Sequence, residues 1–222
     1  MSGRGAAARG GLVVVRTMAE LGEDVWLAPE RHRAGAMGVG EGGAELGELV
    51  VERGERVTGE MLRDAIVFDT THARDGVLDV AAAKRASDGA VSAKKRVRAG
   101  DLLVSRLRPY LRQIAFAHPA AIDACDGRVV ACSSEFYVLS PKREGDALAY
   151  LVPWLLGESA QATLAAAQEG GHHPRVPRDV LLAMRVPRAL VARRSAASRA
   201  VLEALEKLHS AGDAYARLLA RW

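Results

Sequence analysis

The segment KKRVRAGDLLVSRLRPYLR, residues 94–112, places one apolar strand between two basic clusters, and its reading decides the rest of the chain. Lys94, Lys95, Arg96 and Arg98 precede a turn at Gly100-Asp101. Residues 101–105 (DLLVS) have the apolar and β-branched content of a short strand. Arg106, Arg108 and Arg112 follow, with Tyr110 between them, and Pro109 prevents a regular helix from starting cleanly there. Basic side chains therefore flank a strand and crowd the loop at its end. Such side chains neutralise phosphates, which supplies affinity and salt dependence. An arginine also makes two parallel hydrogen bonds to a guanine edge, which supplies specificity. Tyr110 packs on a sugar or fills the core, and core filling is the default for a lone tyrosine.

Strand and turn signals continue on both sides. Residues 65–70 (AIVFDT), 113–117 (QIAFA) and 135–139 (EFYVL) are strand candidates, and residues 180–187 (VLLAMRVP) read as a last strand ended by Pro187. Turns fall at Asp75-Gly76, Asp88-Gly89, Ala99-Gly100 and Asp126-Gly127. This spacing predicts a curved, mostly antiparallel sheet. Residues 46–53 (LGELVVER) read as a short helix or helix–strand junction, and 146–168 as two helices broken near Pro153 or Gly157. Towards the N-terminus, 12–17 (LVVVRT) reads as a strand, 25–33 as irregular, 35–43 as a glycine-rich loop, and 1–11 as a flexible start.

From Ala189 onwards there is no proline and one glycine. Val201, Leu205, Leu208, Tyr215, Leu219 and Trp222, together with Gly212, are spaced in alternating steps of four and three. That is a heptad seam of about three heptads. A helix of this length spans roughly 50 Å. It either packs on the chain's own core or projects and needs a partner, and its length and terminal position favour projection.

The 222 residues suffice for one large domain or a domain with an appendage. The net charge of +4 is unevenly spread: residues 74–112 carry ten basic and four acidic side chains, and 188–222 carry seven and three. A polyanionic partner for the internal block follows, although a solvated basic face explains charge alone equally well. No apolar run approaches a membrane span, and no signal peptide is expected. Cys125 and Cys132 match neither a metal spacing nor a disulfide framework, so two ordinary thiols in a reducing cytoplasm are expected.

Catalytic signatures are missing from the sequence. It contains neither GxGxxG nor GxxxxGK[ST], and no (N/D)PP(Y/F) tetrapeptide of a methyltransferase. His172-His173, with Glu169 nearby, are poorly placed for one metal ion, because adjacent histidines point in different directions. Ser133, His118 and Asp123 lack a nucleophile elbow. The one enzyme reading left open is a small metal-dependent nuclease using Asp101 and Glu135 at strand edges. A non-DNA assembly factor working through the terminal helix is the other alternative.

The stretch VRAGDLLVSRLRPYLRQIAF (97–116) resembles the central signature of target-recognition domains in type I restriction–modification specificity subunits. Further resemblances follow in order: residues 46–53, FDTTH at 68–72, SSEFYVL at 133–139, YLVPWLL at 150–156, QEGGHHPR at 168–175 and Val186-Pro187. VWLAPERHR at 25–33 is similar to a lead-in found in some members. The resemblance implies an α/β (α+β) recognition domain at 12–187, with flanking helices on a curved sheet, and a spacer or dimerisation helix of coiled-coil type at 188–222. It implies a non-catalytic subunit that reads double-stranded DNA. Besides the basic segment and Ser105, the resemblance adds Thr71, His72, His172, His173 and Arg175 to the expected DNA-binding residues.

The partner implied is a DNA methyltransferase subunit, which holds S-adenosylmethionine, while this chain binds neither cofactor nor metal. A restriction subunit is an optional further partner. Family members usually carry two recognition domains and two spacer helices, and this chain has one of each. Its helix is left for a second copy or for a second specificity chain. The sequence PRALVARRS at 187–195 replaces the usual start of the spacer helix.

Overall fold

The computed structural model describes residues 43–86, 92–171 and 173–219. The expected flexible start, the strand at 12–17, the segment at 25–33, most of the 35–43 loop, the Asp88-Gly89 turn, His172 and Trp222 lie outside the described residues.

The fold is mixed α/β. Strand β1 (Ala44–Glu45) runs into helix α1 (Leu46–Leu49) and strand β2 (Val50–Glu52). Strand β3 (Arg56–Val57), helix α2 (Glu60–Arg63), strand β4 (Ile66–Phe68) and a 3-10 turn (Thr70–His72) come next. Strands β5 (Ala73–Arg74) and β6 (Val77–Leu78) form a hairpin. Its two-residue turn needs positive φ twice; Asp75 and Gly76 supply +52° and +85°. Helix α3 (Val80–Ala86) and strand β7 (Lys94–Arg96) lead to strand β8 (Leu102–Ser105). A 3-10 turn (Pro109–Leu111) connects it to strand β9 (Ile114–Phe116).

Helix α4 (Pro119–Asp123) and strands β10 (Val130–Cys132) and β11 (Phe136–Pro141) complete the sheets. Helices α5 (Leu151–Leu156) and α6 (Glu158–Ala166) break at Gly157, within the span expected. Helix α7 (Arg178–Ala183), strand β12 (Arg185–Val186), helix α8 (Arg188–Ala192) and helix α9 (Arg194–Leu219) close the chain.

The mostly antiparallel sheet expected is divided into two four-stranded sheets. One has the order β2-β11-β8-β9 and is antiparallel throughout; the other, β3-β7-β10-β4, has one parallel pair, β10 with β4. The first sheet is buried on both faces, which is why LLV, IAF and FYVL are continuously apolar rather than alternating. On one face, Leu102, Val104, Ile114, Phe116, Tyr137 and Leu139 meet Leu151, Leu155, Leu164 and Leu181 from the helices. On the other, Leu103, Ala115, Phe136 and Val138 meet Ile66, Phe68, Val130 and Cys132 of the second sheet. Val57, Leu62, Ala65 and Ala131 form a small third cluster beyond it.

The run VLLAM does not form the expected strand. Residues 178–183 are helical, with the extended Pro177 before them and Asp179 in the first turn. A short apolar run does not distinguish a buried strand from a buried helix, and the acid in the first turn favours the helix here. The terminal helix is interrupted at Arg193, which leaves α9 about 39 Å long. Ser198 and Leu205 are buried, and Val201 and Leu202 pack against the main core. From Ser210 to Leu219 every described side chain is exposed. Among the described residues no helix is long and apolar enough to cross a membrane.

Candidate nucleic-acid interface

The arginine loop after β8 is built by local hydrogen bonds and then clamped to a distant turn. The Ser105 hydroxyl accepts from the Leu107 N–H at 3.2 Å and donates to the Leu107 carbonyl at 3.1 Å, bending the chain out of the strand. Arg108 then takes a left-handed conformation (φ 47°, ψ 64°), and Arg112 another (φ 51°, ψ 37°). Between them the 3-10 turn is held by Leu111 N–H to the Arg108 carbonyl and Arg112 N–H to the Pro109 carbonyl, both 2.9 Å. Pro109 is buried at its base, with helix α6 packed nearby. Tyr110 and Leu111 are 59% and 47% exposed.

The clamp is the segment 169–176. Arg108 N–H donates to the Pro174 carbonyl (2.9 Å), and Val176 N–H to the Arg106 carbonyl (2.8 Å). Glu135, just before β11, joins the two segments electrostatically. It accepts from Arg106 Nε at 3.0 Å, and from Arg175 Nε at 3.0 Å and Nη2 at 2.9 Å. The Arg175 hydrogen bonds outweigh the opposing effect of burial, and with Arg106 they hold the Glu135 carboxyl down at about 2. Arg175 also reaches the His173 carbonyl at 3.3 Å, and Arg108 Nη2 lies 3.3 Å from His173 Nδ1. One surface thus gathers Arg106, Arg108, Tyr110, Arg112, His173 and Arg175.

The basic lead-in serves a different purpose. Lys95 sits in β7, and its ammonium donates to Glu52 (3.0 Å) and to the Phe136 carbonyl (2.6 Å), 5.6 Å from the Tyr137 ring centroid. A lysine so held ties the two sheets together, and reaching a phosphate would break that tie. Lys94 and Arg96 are half-buried in the same strand; Lys94 bonds Ser92 (3.0 Å), and the exposed Arg98 pairs with Glu55 (2.8 Å). Ser105 is buried and shapes the loop. Thr71 and His72 stand elsewhere, lining a groove of about 620 Å³ with Leu208, His209 and Gly212 of α9. His72 Nδ1 accepts from the Asp69 N–H, closing its own turn.

Asp101 and Glu135 do not form a metal site. The β8–β11 register pairs Leu102 with Leu139 and Ser105 with Phe136, so the two carboxylates lie at opposite ends of the ladder. At about 3.3 Å per residue that is on the order of 15 Å apart. Asp101 is also consumed: Arg53 grips it through Nε (2.9 Å) and Nη2 (2.8 Å), and Ser140 donates to it (2.8 Å). Among the described residues no three His, Cys, Asp or Glu side chains are grouped to hold a metal. His118 is the N-cap of α4 and stacks on His209 at 5.4 Å. Both cysteines are buried, and burial pushes Cys132 up to about 12.

The terminal helix divides its seam. Leu205 and Val201 pack into the chain's own core, while Leu208, Tyr215 and Leu219 are exposed. Sequence reasoning missed Leu111, to which it gave no role, and the Glu135 clamp. The signal for the clamp was the lone acid of SSEFYVL set against an excess of arginines.

No family model and no curated protein matches the chain. Solved structures similar to it include the following two. One is a chain from work on complex assembly and conformational transition of the type I R-M system: 22% identity, TM-score 0.49, covering 75% of this chain and 43% of that one. The other is the HsdS subunit from Thermoanaerobacter tengcongensis: 20% identity, TM-score 0.42, covering 79% of this chain and 46% of that one. The chain therefore spans less than half the length of either.

Proposed function

We propose that this chain is the sequence-recognition subunit of a type I-like restriction–modification or methylation-based defence complex. It reads DNA and directs a partner methyltransferase to a bipartite site; the partner holds S-adenosylmethionine and performs the reaction. The observation that carries this reading is the rigid arginine loop. Glu135 ties down the two arginines at its base, Arg106 and Arg175, and Arg108 and Arg112 stand at either end of an exposed tip. A strand-borne loop with an arginine at each end of an exposed tip suits phosphate and base-edge contacts. The ordered sequence resemblance supplies the family.

In this reading residues 12–187 form the recognition domain, and the helical segment 188–222 has two tasks. Its first turns complete the domain core, and its outer turns offer Leu208, Tyr215 and Leu219 to a second chain. A homodimer would read inverted half-sites, because two-fold symmetry relates its two recognition surfaces. The exhaustion of Asp101 and Glu135 by arginines argues against the nuclease alternative. The test is DNA binding by the purified chain across a salt series. A steep decline of affinity with salt is expected, and salt-independent or absent binding contradicts the reading.

A further inference from the structure

An apolar tip on a basic loop is an unusual surface. Tyr110 and Leu111 are neighbours, both large, and both about half exposed or more. Leaving them in water costs apolar burial that the adjacent core offers to most other residues of this size. They are also held still. Pro109 is buried beneath them, two backbone hydrogen bonds close the turn, and left-handed residues stand at both ends. Non-glycine residues seldom adopt that conformation, and each costs on the order of 1 kcal/mol or more, so the surrounding contacts impose the shape of this tip.

The charge around the tip selects its occupant. Arg108 and Arg112 bracket it, and the carboxylate at the loop's base, Glu135, is already saturated by Arg106 and Arg175. A polyanion therefore meets the tip between Arg112, which is exposed, and Arg108, which is half-buried with Nη2 3.3 Å from His173 Nδ1 and no carboxylate partner in the ion pairs of the described residues. DNA also offers an apolar surface between its phosphate rows: the faces of stacked bases. We propose that the Pro109–Leu111 turn is a wedge that enters duplex DNA at one base step, with Tyr110 and Leu111 against base faces and Arg108 and Arg112 on the flanking phosphates. The wedge rests on the DNA-reading role proposed above. Rigid apolar side chains inserted this way unstack the step and kink the duplex.

A wedge prefers a step that is already loosened, because the unstacking cost is then smaller. The full chain is titrated by fluorescence anisotropy against a labelled duplex, and against the same duplex carrying one central mismatch. About tenfold tighter binding to the mismatched duplex is expected. Tyr110→Ala should abolish that preference, Tyr110→Phe should retain it, and Arg108→Ala should weaken both duplexes equally. Equal affinity of the unaltered chain for the two duplexes overturns the wedge alone and leaves the loop as a backbone clamp. A preference that survives Tyr110→Ala combined with Leu111→Ala overturns it too. Absence of binding to either duplex overturns the DNA reading and the wedge together.

Discussion

Arg175 holds Glu135 with two nitrogens on one edge of its guanidinium group, Nε to Oε2 at 3.0 Å and Nη2 to Oε1 at 2.9 Å, across 40 residues of sequence. Bidentate pairs of this kind fix geometry as well as adding energy. With Arg106 on the same carboxylate, the pair sets the position of the arginine loop relative to the 169–176 turn. Arg175 is half-exposed, so solvent screens the pair and its main effect is on geometry.

The Glu135 carboxyl titrates near 2 in the folded chain against an ordinary 4.5. A depressed acid contributes stability above its unfolded value and loses it as pH falls through the folded value. Glu135→Gln should therefore lower stability at neutral pH and flatten the acid loss between about pH 4.5 and 2, as followed by chemical unfolding at a series of pH values. An unchanged acid limb contradicts this role.

The buried acid Asp101 gives a contrasting case. Arg53→Ala strips the guanidinium from a carboxylate that is 1% exposed. The expected loss is about 3–5 kcal/mol in unfolding free energy, measured by urea titration. A loss within a few tenths of a kcal/mol would show that Ser140 and the Arg98 N–H satisfy Asp101 unaided.

Strands β8, β9 and β11, the α5–α6 break and the Asp75-Gly76 hairpin were legible because apolar runs and turn residues specify them locally. Strand β7 was not, because KKR carries no apolar signal; it is a strand because β3 and β10 pair with it on either side, and Lys95 finds Glu52 and the Phe136 carbonyl. The division into two sheets is invisible for a related reason. Leu103 and Leu102 look alike in sequence and face different layers. At the interface, Arg106, Arg108, Arg112 and Arg175 were legible as basic residues. Their sorting was not: the structure makes Lys95 an internal tie and Arg106 part of a clamp, sets Arg108 half-buried beside His173, and leaves Arg112 exposed. Sorting depends on partners such as Glu52 and Glu135, which lie 29 to 43 residues away along the chain.

For DNA binding, Arg108→Ala and Arg112→Ala should each reduce the slope of log affinity against log salt by about 1, with the unfolding midpoint unchanged. Lys95→Ala should instead lower the unfolding midpoint. Equal thermal effects from all three substitutions would remove the distinction between reading and structural cations.

The terminal helix separates in the same way. Leu208→Glu combined with Leu219→Glu alters exposed positions and should dissociate the assembly while stability stays within about 0.5 kcal/mol. Leu205→Glu places a charge in the core and should destabilise the chain itself. Mass in solution and thermal unfolding, measured together, check both. A strict monomer with and without a methyltransferase present contradicts pairing through α9.

Mapping methylated bases across the genome of source cells with and without this chain tests the recognition role most directly. One bipartite motif should lose methylation when the chain is absent. The unaltered chain should restore it, and the Arg108→Ala, Arg112→Ala double variant should not. An identical methylation pattern in both cells would contradict the proposal that this chain directs a methyltransferase.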